Sequence, residues 1–212
     1  MAKVKAVLFD VDGVLIDSED AYPRVVQKAL ARFAGIKRSK KQILRFAGRA
    51  GAGWFRGVLP NAPNALIKKM FNWGDGVYWS YYLPRYAHPM PGVTRTLREL
   101  KKRGFKLGIV TNQTRREMRV TQRIIRFAKF DVLVSAEDAP PKPSPAGLRL
   151  ALKKLRLKPS EALYVGDTET DARTCAPLGV RLVLISWKRN ERARGLRGFT
   201  RLKRFSDLLN LV

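Results

Sequence analysis

Two aspartates separated by one residue, Asp10 and Asp12, close an apolar run from Ala6 to Phe9 near the start of this 212-residue chain. Paired carboxylates can hold a hard cation, exchange protons with a substrate or attack an electrophile. Set side by side after an apolar segment, they repel each other and resist desolvation, so a cation or hydrogen bonds must offset them. The plainer reading is a turn with a helix N-cap, where Asp and Gly (here Gly13) are common. Two like charges after so apolar a run weigh against it. Further along come Thr111 and Asn112, then Lys142 within PPKPSP, then Asp167 and Asp171 within GDTETD. Each alone reads as a turn or surface residue. Their order, at the ends of successive strand-like runs, favours one shared site.

The elements that must position them follow from periodicity. Ala6 to Phe9 reads as a buried strand of a parallel sheet, and ligands of such sheets sit beyond the carboxyl ends of the strands. Val25, Val26, Ala29, Leu30 and Phe33 recur at helical spacing over Ala21 to Phe33, with Gly35 as a stop. Gln42 to Ala47 and Ala62 to Phe71 read as further helices. Between them FAGRAGAGWF, with Gly48, Gly51 and Gly53, lacks Walker spacing, and a tight turn explains it about as well as a phosphate cradle. The aromatic run Trp73, Tyr78, Trp79, Tyr81, Tyr82 and Tyr86 is expected to form a small domain's core rather than a base-stacking platform.

From Val93 onward helices alternate with strands. The helices expected are Thr94 to Arg103, Arg115 to Phe127, Ala146 to Leu155 and Thr170 to Leu178. The strands are Lys106 to Val110, Asp131 to Val134, Ala162 to Val165 and a final Val180 to Ile185. This is an α/β pattern with a mostly parallel sheet. A basic tail follows Trp187 and is expected to end in a helix over Phe205 to Leu211.

Composition narrows the chemistry. Hydrophobic content of 45% with 9% aromatics is that of a globular chain. No apolar stretch reaches bilayer-spanning length, and no signal-peptide layout follows Met1, so a cytoplasmic protein is expected. The single cysteine, Cys175, excludes an internal disulfide and a cysteine-built metal site, and the single histidine, His88, excludes a multi-histidine zinc site. Any metal would be held by oxygen, which favours magnesium. Lys and Arg total 43 against 17 acids, a formal charge of +26. Such a field attracts phosphates, nucleic acid or anionic membranes, but the cations are scattered along the whole chain, which suits solvated surfaces as well.

With DVDGV (10–14), VTN (110–112), KPSP (142–145) and GDTETD (166–171), the chain resembles the haloacid dehalogenase superfamily of phosphatases over essentially its whole length. LIDSE, GRAGAG and PMPGVTRTLREL are similar to the phosphoglycolate phosphatase-like branch. The resemblance implies a Rossmann-like parallel sheet, the HAD-like α/β core, formed by residues 1–15 and 88–212. A helical cap domain, 16–87, is inserted after the first strand and closes over small substrates.

By the same resemblance Asp10 is the nucleophile that forms an aspartyl-phosphate. Mg2+ sits on the Asp10 carboxylate, the Asp12 carbonyl and the Asp167 carboxylate. Asp12 protonates the leaving group and then accepts a proton from water. The Thr111 hydroxyl and the Asn112 N–H grip the phosphate, Lys142 balances charge, and Asp171 orders Lys142 or a metal-bound water. Asp12 counts against the dehalogenases and phosphonatases of the superfamily. Tyr22, where the sugar phosphomutases carry a cap histidine, counts against those. Arg49 is a candidate substrate contact, and His88 a hinge or surface residue.

The expected function is that of a phosphoric monoester hydrolase acting on a small phosphorylated metabolite, 2-phosphoglycolate first, as a monomer or homodimer. The alternatives are a phosphatase for nucleotides or nucleic-acid ends, and a non-catalytic nucleic-acid-binding protein on the same scaffold. Nucleic acid is the less favoured partner, and no membrane is expected.

Overall fold

The computed structural model describes residues 3–46, 52–127, 129–185 and 196–212. In chain order the strands are β1 (Ala6–Phe9), β2 (Ile16–Asp17), β3 (His88–Pro89), β4 (Lys106–Val110), β5 (Val132–Val134), β6 (Ala162–Gly166), β7 (Arg181–Ile185) and β8 (Thr200–Leu202). The α-helices are α1 (Ala21–Ala34), α2 (Lys40–Leu44), α3 (Gly53–Val58), α4 (Asn64–Val77), α5 (Leu83–Tyr86), α6 (Val93–Lys102), α7 (Arg115–Ile125), α8 (Ala146–Leu155) and α9 (Glu169–Cys175). The chain divides into two units, Met1–Asp17 with His88–Val212, and Ser18–Ala87.

The first unit is α/β. Its six-stranded sheet has the order β5-β4-β1-β6-β7-β8 and is parallel throughout. β1, the first strand in sequence, lies at its centre. It pairs with β4 (Phe9 opposite Ile109) on one side and β6 (Phe9 opposite Val165) on the other. Every residue of β1 and β6 is buried, because a parallel sheet is covered on both faces. On one face Ala6, Leu8, Val110 and Val134 pack with Leu148, Ala151, Leu152 and Leu155 of α8 and with Cys175 of α9. On the other, Phe9 stacks on Phe205 with ring centroids 5.9 Å apart. β2 and β3 form a separate antiparallel ribbon pairing Asp17 with His88, and His88 is exposed there.

Several elements depart from the periodicity. The strand over 181–185 is not the last, because Thr200–Leu202 of the basic tail adds β8 against β7 (Val183 opposite Thr200). The expected terminal helix is a 3-10 segment, Phe205–Asn210, whose Phe205 and Leu208 are buried. α9 stops at Cys175 and tightens into a 3-10 turn, Ala176–Leu178, closed by left-handed Gly179. The tail residues Lys188, Arg189, Arg192 and Arg194 lie outside the described residues; Arg197, Arg201, Lys203 and Arg204 are exposed.

The second unit is helical. Val26, Ala29 and Leu30 of α1 pack with Ile43, Phe55, Ile67 and Met70, and Phe33, Trp54 and Trp73 lie partly buried against them. α1 ends where the left-handed Gly35 returns its N–H to the Leu30 carbonyl. The tyrosine-rich run is not this unit's core. Tyr78–Tyr82 forms one π-helical turn with no fully buried residue, and Tyr81 is 47% exposed. The rings instead pack on one another and under arginines, Arg24 over Tyr86 and Arg85 over Tyr81, which shields apolar area without a deep core.

Among the described residues no helix is long and apolar enough to cross a membrane. Burial, followed by the nearby Asp171 carboxylate, pushes the Cys175 thiol up to about 12. At pH 8 that leaves about one thiolate in ten thousand. A thiol reagent is therefore expected to leave the folded protein unlabelled and to react with one equivalent in urea. Rapid labelling without denaturant would contradict the packing of α9.

Candidate active site

The sheet order prescribes where the site lies. After β1 the chain passes to the β4 side, and after β6 it passes to β7 on the opposite side. The two connections diverge, and a crevice opens beyond the carboxyl ends of β1 and β6. Asp10 follows β1, its N–H donating to the Val165 carbonyl at 3.0 Å and continuing the ladder. Asp167 follows β6, Thr111 and Asn112 follow β4, and Lys142 stands in the loop before α8.

An ion cluster fills the crevice. Lys142 Nζ lies 2.8 Å from Asp10 Oδ1 and 2.8 Å from Asp171 Oδ1; the side chains of Lys142, Asp10 and Asp171 are 5%, 14% and 0% exposed. Tyr164 supports it from within β6, its hydroxyl accepting from Lys142 Nζ at 3.2 Å and donating to the Val110 carbonyl at 3.0 Å. The other Asp171 oxygen accepts from the Thr168 hydroxyl (2.7 Å) and from the N–H groups of Asp167 and Thr168 (both 3.1 Å). Thr168 and Asp171 thereby form the capping box of α9. Gly166 permits this close approach, because a Cβ there would stand 2.5 Å from the Asp171 Cβ.

Burial is the largest influence on Asp10 and raises its carboxyl from 3.8 to about 7, with Asp171 and Asp167 adding to the rise and Lys142 opposing it. Burial alone would lower the Lys142 ammonium, but Asp10, Tyr164 and Asp171 hold it well above its usual value. Burial would likewise raise Asp171, yet the charge and hydrogen bond of Lys142, with Thr168 and the Asp167 N–H, keep it below the usual carboxylate range.

Asp12 lies in the turn beyond β1. Gly13, at φ +79°, faces Asp167 so closely that a Cβ would collide with Asp167 Oδ2. Asp12 Oδ2 accepts from Gln113 Nε2 at 2.8 Å. Thr111 is buried, and its hydroxyl accepts from the Gln113 N–H at 3.2 Å. The Asn112 side chain braces the lysine loop, accepting from the Lys142 N–H (2.6 Å) and donating to the Lys142 carbonyl (3.0 Å).

One carboxylate oxygen from each of Asp10, Asp167 and Asp171 lies within 4.8 Å of the others. With both Asp171 oxygens engaged, Asp10 and Asp167 are the side chains left to meet a cation. Asp167 Oδ1 is buried and accepts no hydrogen bond, although other contacts hold the residue. An all-oxygen, multiply anionic donor set fits a hard divalent cation.

The structure thus brings Asp10, Lys142, Asp167 and Asp171 into one cluster, with Asp12, Thr111 and Asn112 at its edge. Arg49, with Gly48 and Gly51, lies outside the described residues. Tyr164 and Gln113 were not singled out from sequence. A tyrosine in an otherwise aliphatic strand, three residues before Asp167, is a readable signal for the first, since a buried phenol needs a polar partner. Gln113 carries none beyond adjacency to Asn112.

Residues 4–179 match the family model of haloacid dehalogenase-like hydrolases. The chain is 30% identical over 214 residues to the pyrophosphatase PpaX of Bacillus velezensis, covering 99% of this chain and 97% of that one. Among solved structures it is similar to a candidate phosphoglycolate phosphatase of Lactobacillus plantarum (27% identity, TM-score 0.80, all of both chains). It also matches the fold of a HAD-superfamily hydrolase, subfamily IA, of Geobacter sulfurreducens (24% identity, TM-score 0.82, 98% and 96% covered).

Proposed function

The chain belongs to the haloacid dehalogenase-like hydrolases and is a phosphatase, and on that footing we propose that it releases phosphate from a small phosphomonoester through an aspartyl-phosphate on Asp10. The observation that carries this reading is the Asp10–Lys142–Asp171 ion set beyond β1, with Asp12 two residues on. Lys142 clamps one Asp10 oxygen and fixes the carboxylate's orientation. Asp10 attacks phosphorus as the ester P–O bond breaks, and Asp12 gives the leaving oxygen a proton. Water then attacks phosphorus, Asp12 takes its proton, and the bond to Asp10 breaks, freeing phosphate and restoring the carboxylate. Thr111 and Asn112 hold the phosphoryl oxygens.

Asp10, Asp167 and the Asp12 carbonyl are the groups assigned to hold Mg2+. The cation would supply charge neutralisation for a dianionic substrate in an acidic site. We assign the helical unit the role of the cap and Arg49 that of a substrate contact.

The substrate proposed first is 2-phosphoglycolate. Inorganic pyrophosphate comes second, favoured by the 30% identity to a pyrophosphatase. The test is phosphate release from both, alongside sugar phosphates, nucleoside monophosphates and a 3′-phosphorylated oligonucleotide, with Mg2+ and with EDTA. Release led by 2-phosphoglycolate and abolished by EDTA is expected. Release led by pyrophosphate would move the second substrate to first place, and preference for the oligonucleotide would give the +26 charge a role in substrate capture. Release untouched by EDTA, or none from any substrate, would overturn the reading.

A further inference from the structure

We propose that Gln113, held by Thr121, is a positioning residue that orients Asp12 for its two proton transfers; this rests on the acid–base role assigned to Asp12 above. Gln113 is 5% exposed and Thr121 0%, so both are out of reach of bulk water. Gln113 Nε2 donates to Asp12 Oδ2 at 2.8 Å. Its amide oxygen meets the Thr121 hydroxyl at 3.1 Å, and that hydroxyl is also 3.0 Å from the Met118 carbonyl. Only one orientation of the amide suits both neighbours. Reversed, it would set a carbonyl oxygen against the Asp12 carboxylate oxygen, and the Thr121 hydroxyl would have to turn its hydrogen to the Met118 carbonyl.

The glutamine backbone is fixed as firmly. Its N–H donates to the Thr111 hydroxyl at 3.2 Å, and its carbonyl accepts from the Ala136 N–H at 2.9 Å. The next residue, Thr114, is the N-cap of α7, locked in a capping box with Glu117. Thr121 stands on the buried face of the same helix. The relay from α7 to Asp12 therefore has almost no rotational freedom left in it.

This arrangement has a chemical consequence. An N–H directed at Oδ2 makes that oxygen a permanent acceptor, so the proton Asp12 gives up and takes back travels on Oδ1. Without Gln113 that hold on Oδ2 is lost, and the proton-bearing oxygen is misplaced for part of the time. Such misplacement costs rate rather than affinity, because substrate binding does not depend on where the proton sits.

The experiment compares kcat and KM for wild type, Gln113→Leu, Thr121→Val, Thr121→Ser and the Gln113→Leu/Thr121→Val double variant, with melting temperatures to establish folding and Asp10→Asn as the inactive control. Gln113→Leu is expected to lower kcat about 10- to 100-fold with KM within about twofold of wild type. Thr121→Val loses one hydrogen bond and should lower kcat about 3- to 10-fold, and Thr121→Ser, which keeps the hydroxyl, should restore it. The double variant should be no worse than Gln113→Leu by more than about twofold, since the two residues act as one unit. Should Gln113→Leu fail to fold, the Val and Ser variants at 121 carry the test alone. A folded Gln113→Leu with unchanged kcat, a rise in KM alone, or a serine variant as slow as the valine one would overturn the positioning role and leave the phosphatase reading standing. A wild-type protein that releases no phosphate overturns both.

Discussion

Asp10→Asn is expected to abolish phosphate release, by about 10^4-fold or more, equivalent to roughly 5.5 kcal/mol of barrier. The amide fills the same space but is no nucleophile, so no covalent phosphoryl bond can form. The variant should nevertheless fold at least as well as wild type, and the pH dependence says when. The Asp10 carboxyl is raised from 3.8 to about 7, chiefly by burial. Between those values the folded state holds a proton that the unfolded state has lost, so the Asp10 contribution to stability falls as pH rises from about 4 to about 7 and is level beyond. Asparagine has no such dependence. In EDTA the two proteins should melt together near pH 4, with the variant rising above wild type as pH approaches 7. Adding Mg2+ should then raise the wild-type midpoint more than that of the variant, because binding to the folded state stabilises it. An active Asp10→Asn protein would remove the proposed mechanism; a variant melting well below wild type at pH 8 would contradict the burial argument.

The second large effect falls on Lys142, and it is structural before it is catalytic. Lys142→Ala leaves the carboxylates of Asp10 and Asp171 facing each other without the ammonium that lies 2.8 Å from both. Removing one partner of a buried ion pair costs about 3–5 kcal/mol, or roughly 6–20 °C of melting temperature in a chain of this size. The loss should shrink on acidification, as Asp10 takes up a proton and the repulsion disappears. Phosphate release should fall with it even at temperatures where the variant is folded, because the nucleophile is no longer clamped. Thermal melts at pH 5 and pH 8 check both parts. A variant melting within about 2 °C of wild type at pH 8 would show that solvent or bound cations already screen the cluster.

What could be read from the sequence depended on how local the cause was. Alternation of apolar runs and amphipathic helices gave the parallel α/β unit, because burial on both faces leaves a strand such as Ala6–Phe9 no polar position. The meeting of Asp10, Lys142, Asp167 and Asp171 was legible from strand ends, since a parallel sheet gathers its carboxyl termini along one edge. Elements owed to distant partners were not. β8 is a three-residue strand in a basic segment, and it exists because Val183 and Ile185 offer it a ladder. Gln113 takes its meaning from Asp12, 101 residues away. Tyr78–Tyr82 looked apolar enough for a core, but arginines could cover those rings at the surface, and composition does not distinguish the two outcomes.

The central place of β1 bears on how the protein is made. Its four residues are made well before their partners, Lys106 to Ile109 on one side and Ala162 to Val165 on the other. At about 5–20 residues per second, the second edge arrives roughly 10–30 s later. Until then an apolar ribbon, AVLF, waits with at least one edge open to other nascent chains, and with both open until β4 is made. Lys5 and Asp10 bracket it, and in a parallel, in-register stack of copies lysine would face lysine and aspartate face aspartate, which opposes that stacking. Asp10 thus guards the newborn chain before it has any phosphate to meet.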